Sequence, residues 1–160
     1  MECKIVKRAA FYVLEKPSKH STQGGENNVS VPAFWAQCGN DGTIDALISH
    51  ANDKTLTLGI CYGSDGDDIF DYSVAVLCDE NTPVPDGCRK TLIPARTWAT
   101  FECVGAMPQA IQQAWQKITA EFFPSSAYRP TGEFDIEIYP DGDTDCADYK
   151  SEIWIAVQPA

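Results

Sequence analysis

RKTLIPARTWATFECVGAMPQAIQQAWQKITAEFF, residues 89–123, is the stretch that decides the fold of this chain. Residues 89–104 predict a strand that bends near Pro94, since proline cannot donate to the hydrogen-bond ladder of a straight central strand. In residues 108–123, apolar side chains recur at helical spacing with glutamine and lysine opposite, which predicts an amphipathic helix. Pro108 suits the first turn of this helix and Pro124 marks its end.

Two more strands are predicted after this helix, FDIEIY at 134–139 and EIWIAV at 152–157. The first half of the chain repeats the order, with a strand at 3–14, a helix at 29–38, strands at 56–62 and 69–78, and the turn SDGDD between those strands. We therefore expect one α+β domain over 1–160, built from two tandem strand-helix-strand-strand repeats at about 1–80 and 88–160. We expect pseudo-two-fold symmetry between the repeats. Together they would form an antiparallel sheet with helices on one face and a ligand cleft on the other.

The net charge and the cysteine pattern indicate which ligands and which cellular compartment to expect. The 160 residues carry a formal net charge of −11, which would repel a polyanion, so direct nucleic-acid binding is not expected. The same charge favours cationic ligands, although solubility alone explains it equally well. The seven cysteines include no C-x-x-C pair, which favours buried, reduced thiols in a cytoplasmic protein over a metal site. The N-terminus does not resemble a signal peptide, and no apolar run is long enough for a membrane span.

The two closing strands hold the best binding candidates. Alternation places Asp135, Glu137 and Tyr139 on one face of their strand, and Glu152 and Trp154 on one face of theirs. If these strands pair, and if their aliphatic faces pack on the helix, the carboxylates and aromatic rings meet. Carboxylates beside aromatic rings suit a flat or aromatic cation. Alternation by itself favours a simpler interpretation, a solvated polar sheet face.

Four other aromatic side chains are candidates for the same cleft, although each also suits a core position: Trp35, Tyr62, Tyr72 and Trp98. A calcium loop is not expected, because the pattern that ends at Glu152 has Cys146 where such a loop requires glycine. No common hydrolase or phosphate-binding motif occurs. We therefore expect neither a metal nor a cofactor.

Several of these segments closely resemble the GyrI-like family, the effector-binding domains found at the C-terminus of AraC-type transcription regulators. The resemblance covers nearly the whole chain. The most specific segments are PARTWATFECVGAMPQAI (94–111) and SEIWIAV (151–157), and the first half resembles the first repeat through VPAFWAQCGNDGTIDAL (31–47). The resemblance implies two tandem repeats around a cleft, with Glu152 as the acid that meets cationic ligands. It also implies aromatic cleft residues, listed here: Trp154, Tyr139, Trp98, Trp35 and Tyr72. Unlike those regulators, the sequence shows no helix-turn-helix segment before these repeats, so we expect a stand-alone member.

The predicted function is binding of cationic, amphipathic or aromatic small molecules, as a sequestering or transcription-effector module rather than an enzyme. Two alternatives stay open. One is a hydrolase of strained, cyclopropane-type genotoxins that uses Glu152. The other is an interaction protein whose partner is gyrase or a separate DNA-binding protein.

Overall fold

A computed structural model of the chain describes residues 2–63 and 68–160, so most of the predicted SDGDD turn lies outside the described residues. Eight antiparallel strands form one sheet in the order β1-β6-β8-β7-β3-β4-β2-β5. Their bounds are β1 Cys3–Arg8, β2 Phe11–Ser21, β3 Leu56–Tyr62, β4 Ile69–Cys78, β5 Arg89–Ile93, β6 Arg96–Val104, β7 Tyr128–Pro140 and β8 Lys150–Pro159. The α+β class with an antiparallel sheet is confirmed.

The internal symmetry of the sheet is visible in its pairing. In the first half β2 pairs with β4 and β4 with β3, and in the second half β6 pairs with β8 and β8 with β7. The halves join where β3 pairs with β7. Each half therefore follows the predicted order of strand, helix, strand and strand.

Two bends give the sheet its shape. The predicted strand over 3–14 is two strands, β1 and β2, and the predicted bend near Pro94 separates β5 from β6. Because β1 pairs with β6 while β2 pairs with β5, each bent strand crosses from one half of the sheet to the other. β2 also continues to Ser21, beyond the predicted strand end at residue 14, because Tyr12–Ser21 pairs with β4.

Among the described residues, three α-helices lie on one face of the sheet: α1 Asn27–Asn40, α2 Thr43–Ser49 and α3 Gln109–Lys117. A π turn over Ile118–Phe122 and a 3-10 turn over Phe123–Ser125 extend α3 to the end of the predicted helix. Ile111, Ala114 and Ile118 are buried on its inner side, as the apolar periodicity predicts.

Both faces of the sheet are packed. On the helical face, α1 and α2 cover residues such as Leu14 and Val76, and α3 covers Phe101, Ile153 and Ile155. On the helix-free face, side chains from β2 to β8 form a third cluster around Trp98 and Ile136. The helix-free face, for which the sequence predicts a ligand cleft, thus also buries apolar side chains.

The register of the closing strands corrects one prediction. Ile153 and Ile155 pack on α3, as expected, but Phe134, Ile136 and Ile138 belong to the helix-free cluster. Glu137 pairs with Ile153, while Glu152 pairs with Ile138. Since directly paired residues share a face, Glu137 lies on the helical face and Glu152 on the other.

Candidate functional site

A large cavity lies among the helices, and the centre of the sheet forms its floor. Its volume is about 820 Å³, which is large enough for a drug-sized molecule. Walls come from α1 in the first half and α3 in the second, and the floor comes from β3, β4 and β7. The pseudo-two-fold arrangement of the halves therefore creates the cavity.

A buried carboxylate, Glu137, lies on the floor of this cavity with 8% of its surface exposed. The Tyr72 hydroxyl donates to its Oε1 at 2.6 Å, and the Trp115 indole N–H donates to its Oε2 at 2.8 Å. The Trp35 indole N–H in turn donates to the Tyr72 hydroxyl at 2.8 Å. Donors from β4 and α3 thus hold one carboxylate from β7 in a fixed orientation, and a donor from α1 orients the β4 phenol.

Burial raises the pKa of Glu137, while the hydrogen bonds from Tyr72 and Trp115 oppose that rise by stabilising the charged form. Burial also raises the pKa of Asp135 to about 7, and the neighbouring Glu137 charge adds to the effect. Asp135 precedes Glu137 by two residues on β7, and both line the cavity. The floor therefore holds two carboxyl groups whose ionised forms are not fully compensated by the surrounding protein.

A glycine on β3 makes room for this hydrogen-bond network. Gly59 pairs with Glu137 on one side and with Val74 on the other. A Cβ atom at this position would lie 2.8 Å from the Tyr72 Cζ and 2.9 Å from the Glu137 Oε1, closer than such atoms can approach. The absence of a side chain at Gly59 therefore lets the phenol cross β3 to reach the carboxylate.

Aromatic rings form the walls above the carboxylates. Trp35 and Tyr139 meet edge to face, with ring centroids 5.2 Å apart. Tyr62 also borders the cavity, but it pairs with Phe134 and its ring packs against the helix-free cluster, where its hydroxyl donates to the fully buried Glu15 at 2.7 and 2.8 Å. The cavity thus combines π-faces with negative charge, the two features that attract an organic cation.

A smaller cavity of about 320 Å³ lies on the helix-free face and contains Glu152 and Trp154. The Trp154 indole N–H donates to the Glu152 Oε2 at 2.9 Å. The Arg8 guanidinium lies over the Trp154 ring, 4.0 Å from its centroid. Glu102, which pairs with Glu152 across the strands, also has a basic neighbour in Lys150 at 3.8 Å. Protein cations therefore already occupy positions around this smaller cavity.

The predicted site residues divide between these places. The large cavity is lined by Glu137, Tyr139, Tyr72, Trp35 and Tyr62, and the small cavity by Glu152 and Trp154. Trp98 lines neither cavity and is fully buried between Phe134 and Trp154, with ring centroids at 5.4 and 6.1 Å. The structure brings Trp35 and Tyr72 of the first half together with Tyr139 of the second. It separates Glu137 from Glu152.

Three residues of the large cavity were missed as site residues from the sequence. Asp135 shares a strand face with Glu137, which is a signal that alternation already contained. An isolated glycine within a strand pattern, as at Gly59, marks a close approach of other groups. Trp115 fits the apolar side of a helix, and no sequence signal distinguished its indole N–H as a donor to a buried carboxylate.

Two features are absent from the described residues. No group of three or more histidine, cysteine, aspartate or glutamate side chains is arranged to hold a metal ion there. In the same part of the chain, no helix is long and apolar enough to cross a membrane.

Comparison with known proteins adds a family and several relatives. Residues 4–157 match Cass2, described as an integron-associated effector-binding protein. A structure of the protein SAV2435 bound to tetraphenylphosphonium is 25% identical, with a TM-score of 0.86 over 99% of this chain and 94% of that one. An integron cassette protein of Vibrio cholerae is 21% identical, with a TM-score of 0.67 over 98% and 95% of the two chains, and shows the same fold.

A transcription regulator of Pseudomonas aeruginosa, BrlR, is 26% identical over 139 residues. The match covers 87% of this chain but only 48% of the regulator, so this chain spans about half the length of that relative.

Proposed function

Because the chain belongs to the Cass2 family of integron-associated effector-binding proteins, we propose that its effector is a hydrophobic organic cation bound in the large cavity. The ionised Glu137 supplies the countercharge, and aromatic rings from both halves enclose the ligand. Since both halves line this cavity, residues 1–160 act as a single effector-binding domain. The observation that carries the proposal is a buried carboxylate, held by Tyr72 and Trp115, at the floor of a cavity of about 820 Å³.

The electrostatic argument favours a cation over a neutral or anionic ligand. Among the described residues, Glu137 has hydrogen-bond donors but no adjacent basic side chain, and burial raises its pKa. A ligand that brings a positive charge offsets the cost of ionising this group, and a low-polarity environment strengthens the attraction. SAV2435, which has the same fold, binds tetraphenylphosphonium, a cation that is apolar on its outside and suits aromatic walls.

Glu152 is the alternative countercharge, as the family resemblance implied, with Trp154 beside it. We rank it second because its cavity is smaller and already has Arg8 and Lys150 nearby. The two proposals make opposite predictions for two isosteric variants, Glu137→Gln and Glu152→Gln.

The test is a calorimetric titration of wild type and both variants with tetraphenylphosphonium at pH 8. We expect Glu137→Gln to weaken binding at least about tenfold, or about 1.4 kcal/mol, and Glu152→Gln to bind like wild type. Triphenylphosphine oxide, which has similar aromatic rings but no net charge, should bind more weakly than the cation. Equal binding by wild type and Glu137→Gln would refute the role of Glu137, and a loss confined to Glu152→Gln would move the site to the small cavity.

Turnover of a strained cyclopropane compound tests the hydrolase alternative. If the protein only binds its effector, the compound is recovered intact after incubation, and product formation abolished by a carboxylate variant would establish an enzyme instead. Co-purification with gyrase or with a DNA-binding protein tests the partner alternative in the same preparation.

A further inference from the structure

Two carboxyl groups, those of Asp135 and Glu137, lie on the floor of the large cavity. Asp135 and Glu137 leave the same face of β7 two residues apart, so their side chains emerge about 7 Å from each other. Both line the cavity, and Asp135 is only half-buried, while Glu137 is almost completely enclosed. One acid is therefore positioned at the floor and the other beside it along the same strand.

The cavity lining has few basic groups to balance this pair. Among its described lining residues, the single basic side chain is Lys54. The Lys54 ammonium donates to the backbone carbonyls of Ile48 and Ser49, at 3.0 and 2.9 Å, next to the C-terminus of α2. This position is favourable for a cation, so Lys54 is engaged with the helix rather than with the carboxyl pair.

From this arrangement, and given the cation site proposed above, we propose that the large cavity is selective for flat aromatic dications whose two positive centres are separated by about the spacing of Asp135 and Glu137. A monocation pairs with Glu137 alone and leaves the second carboxyl group uncompensated. A dication pairs with both, and the aromatic walls at Trp35, Tyr139 and Trp115 accept its flat rings.

The protonation state of the ligand-free protein supports this proposal. Among the described residues, the titratable groups that face Asp135 are Glu137 on its own strand and the thiol of Cys61, its partner on β3. The pKa of Asp135 is raised to about 7, first by burial and then by the Glu137 charge. Near pH 7 a fraction of the protein therefore carries a proton on Asp135, and a second positive charge on the ligand displaces that proton to solvent.

Two probes of nearly the same shape, one a dication and one a monocation, distinguish the effect of the second charge from the effect of ligand shape. Methyl viologen carries two methylated pyridinium rings, and 1-methyl-4-phenylpyridinium replaces one of these rings with neutral phenyl. We expect wild type at pH 8 to prefer methyl viologen by at least about tenfold in Kd. Asp135→Asn, which keeps the side-chain shape, should reduce this preference to less than about threefold. Asp86→Asn removes an exposed acid of the loop between β4 and β5, and should retain the wild-type preference.

Calorimetry in two buffers with different ionisation enthalpies gives a second readout at pH 7. Methyl viologen should release more protons from wild type than the monocation does, and Asp135→Asn should remove the difference. If the monocation binds in a Glu137-dependent manner but wild type shows no preference for the dication, the selectivity proposal is wrong and the cation site stands. If neither probe nor tetraphenylphosphonium binds, the proposed function fails as well. A preference that persists in Asp135→Asn would also overturn the assignment to Asp135.

Discussion

The replacement Asp135→Asn should make the stability of the protein less sensitive to pH. An ordinary aspartate has a pKa of 3.8, and burial together with Glu137 raises the pKa of Asp135 to about 7 in the folded protein. Between these values the folded chain binds a proton that the unfolded chain has lost, so the free energy of unfolding falls as pH rises. The stabilisation is complete below about pH 4 and is lost once the pH passes about 7.

The size of the effect follows from the two pKa values. A difference of about three pKa units corresponds to roughly 4 kcal/mol between acidic and neutral pH. Because Asp135 is half-buried and retains some contact with water, we expect about 2–4 kcal/mol in practice. The asparagine side chain of the variant cannot ionise, so Asp135→Asn should gain stability relative to wild type as the pH rises and should be the more stable protein above pH 7.

Urea unfolding of both proteins at half-unit intervals from pH 4.5 to 8.5 measures this change. The difference in unfolding free energy between variant and wild type isolates Asp135, because the other titrating groups are common to both proteins. Asp86→Asn, an exposed acid, should show a difference that does not vary by more than about 0.5 kcal/mol. The reasoning is refuted if the difference between Asp135→Asn and wild type is constant over the same range.

Three other substitutions test the hydrogen bonds to the buried carboxylates Glu137 and Glu15. Gly59→Ala should displace the Tyr72 ring from Glu137, destabilise the protein by about 1–3 kcal/mol and weaken cation binding, as thermal unfolding and dye titration would show. Tyr72→Phe should cost about 1–3 kcal/mol in urea unfolding and raise the pKa of Glu137 further, because a donor to its carboxylate is lost. Glu15→Gln should lower the pKa of Tyr62 towards its ordinary value in ultraviolet titration, since burial and then the Glu15 charge raise it.

Matched controls sharpen these tests. At Gly39 in α1 a Cβ atom would meet only the Ile44 side chain, at 3.9 Å, so Gly39→Ala should be neutral or stabilising. If Gly59→Ala and Gly39→Ala behave alike, the close approach at β3 is not important. If Tyr72→Phe changes stability by less than about 0.5 kcal/mol, the phenol does not support the carboxylate.

The order of elements could be predicted from the sequence because local patterns carry it. Apolar spacing in residues 108–123 predicted α3 and its extension, and alternation predicted the core of β7 within FDIEIY. Pro94 predicted the bend between β5 and β6 because its effect on the strand is local. The split of the first strand and the length of β2 could not be predicted, since they depend on pairing with β6 and β4, which are distant in the sequence.

The candidate site shows the same division between local and distant information. The sequence by itself determined that Glu137, Tyr139 and Asp135 share one side of their strand, and that Glu152 and Trp154 share one side of theirs, because strand periodicity is a property of each segment. Only the tertiary structure decided that these two sides lie on opposite faces of the sheet. The reason is register, because Glu152 pairs with Ile138 rather than with Glu137, and a shift of one residue in pairing exchanges the faces of a whole strand.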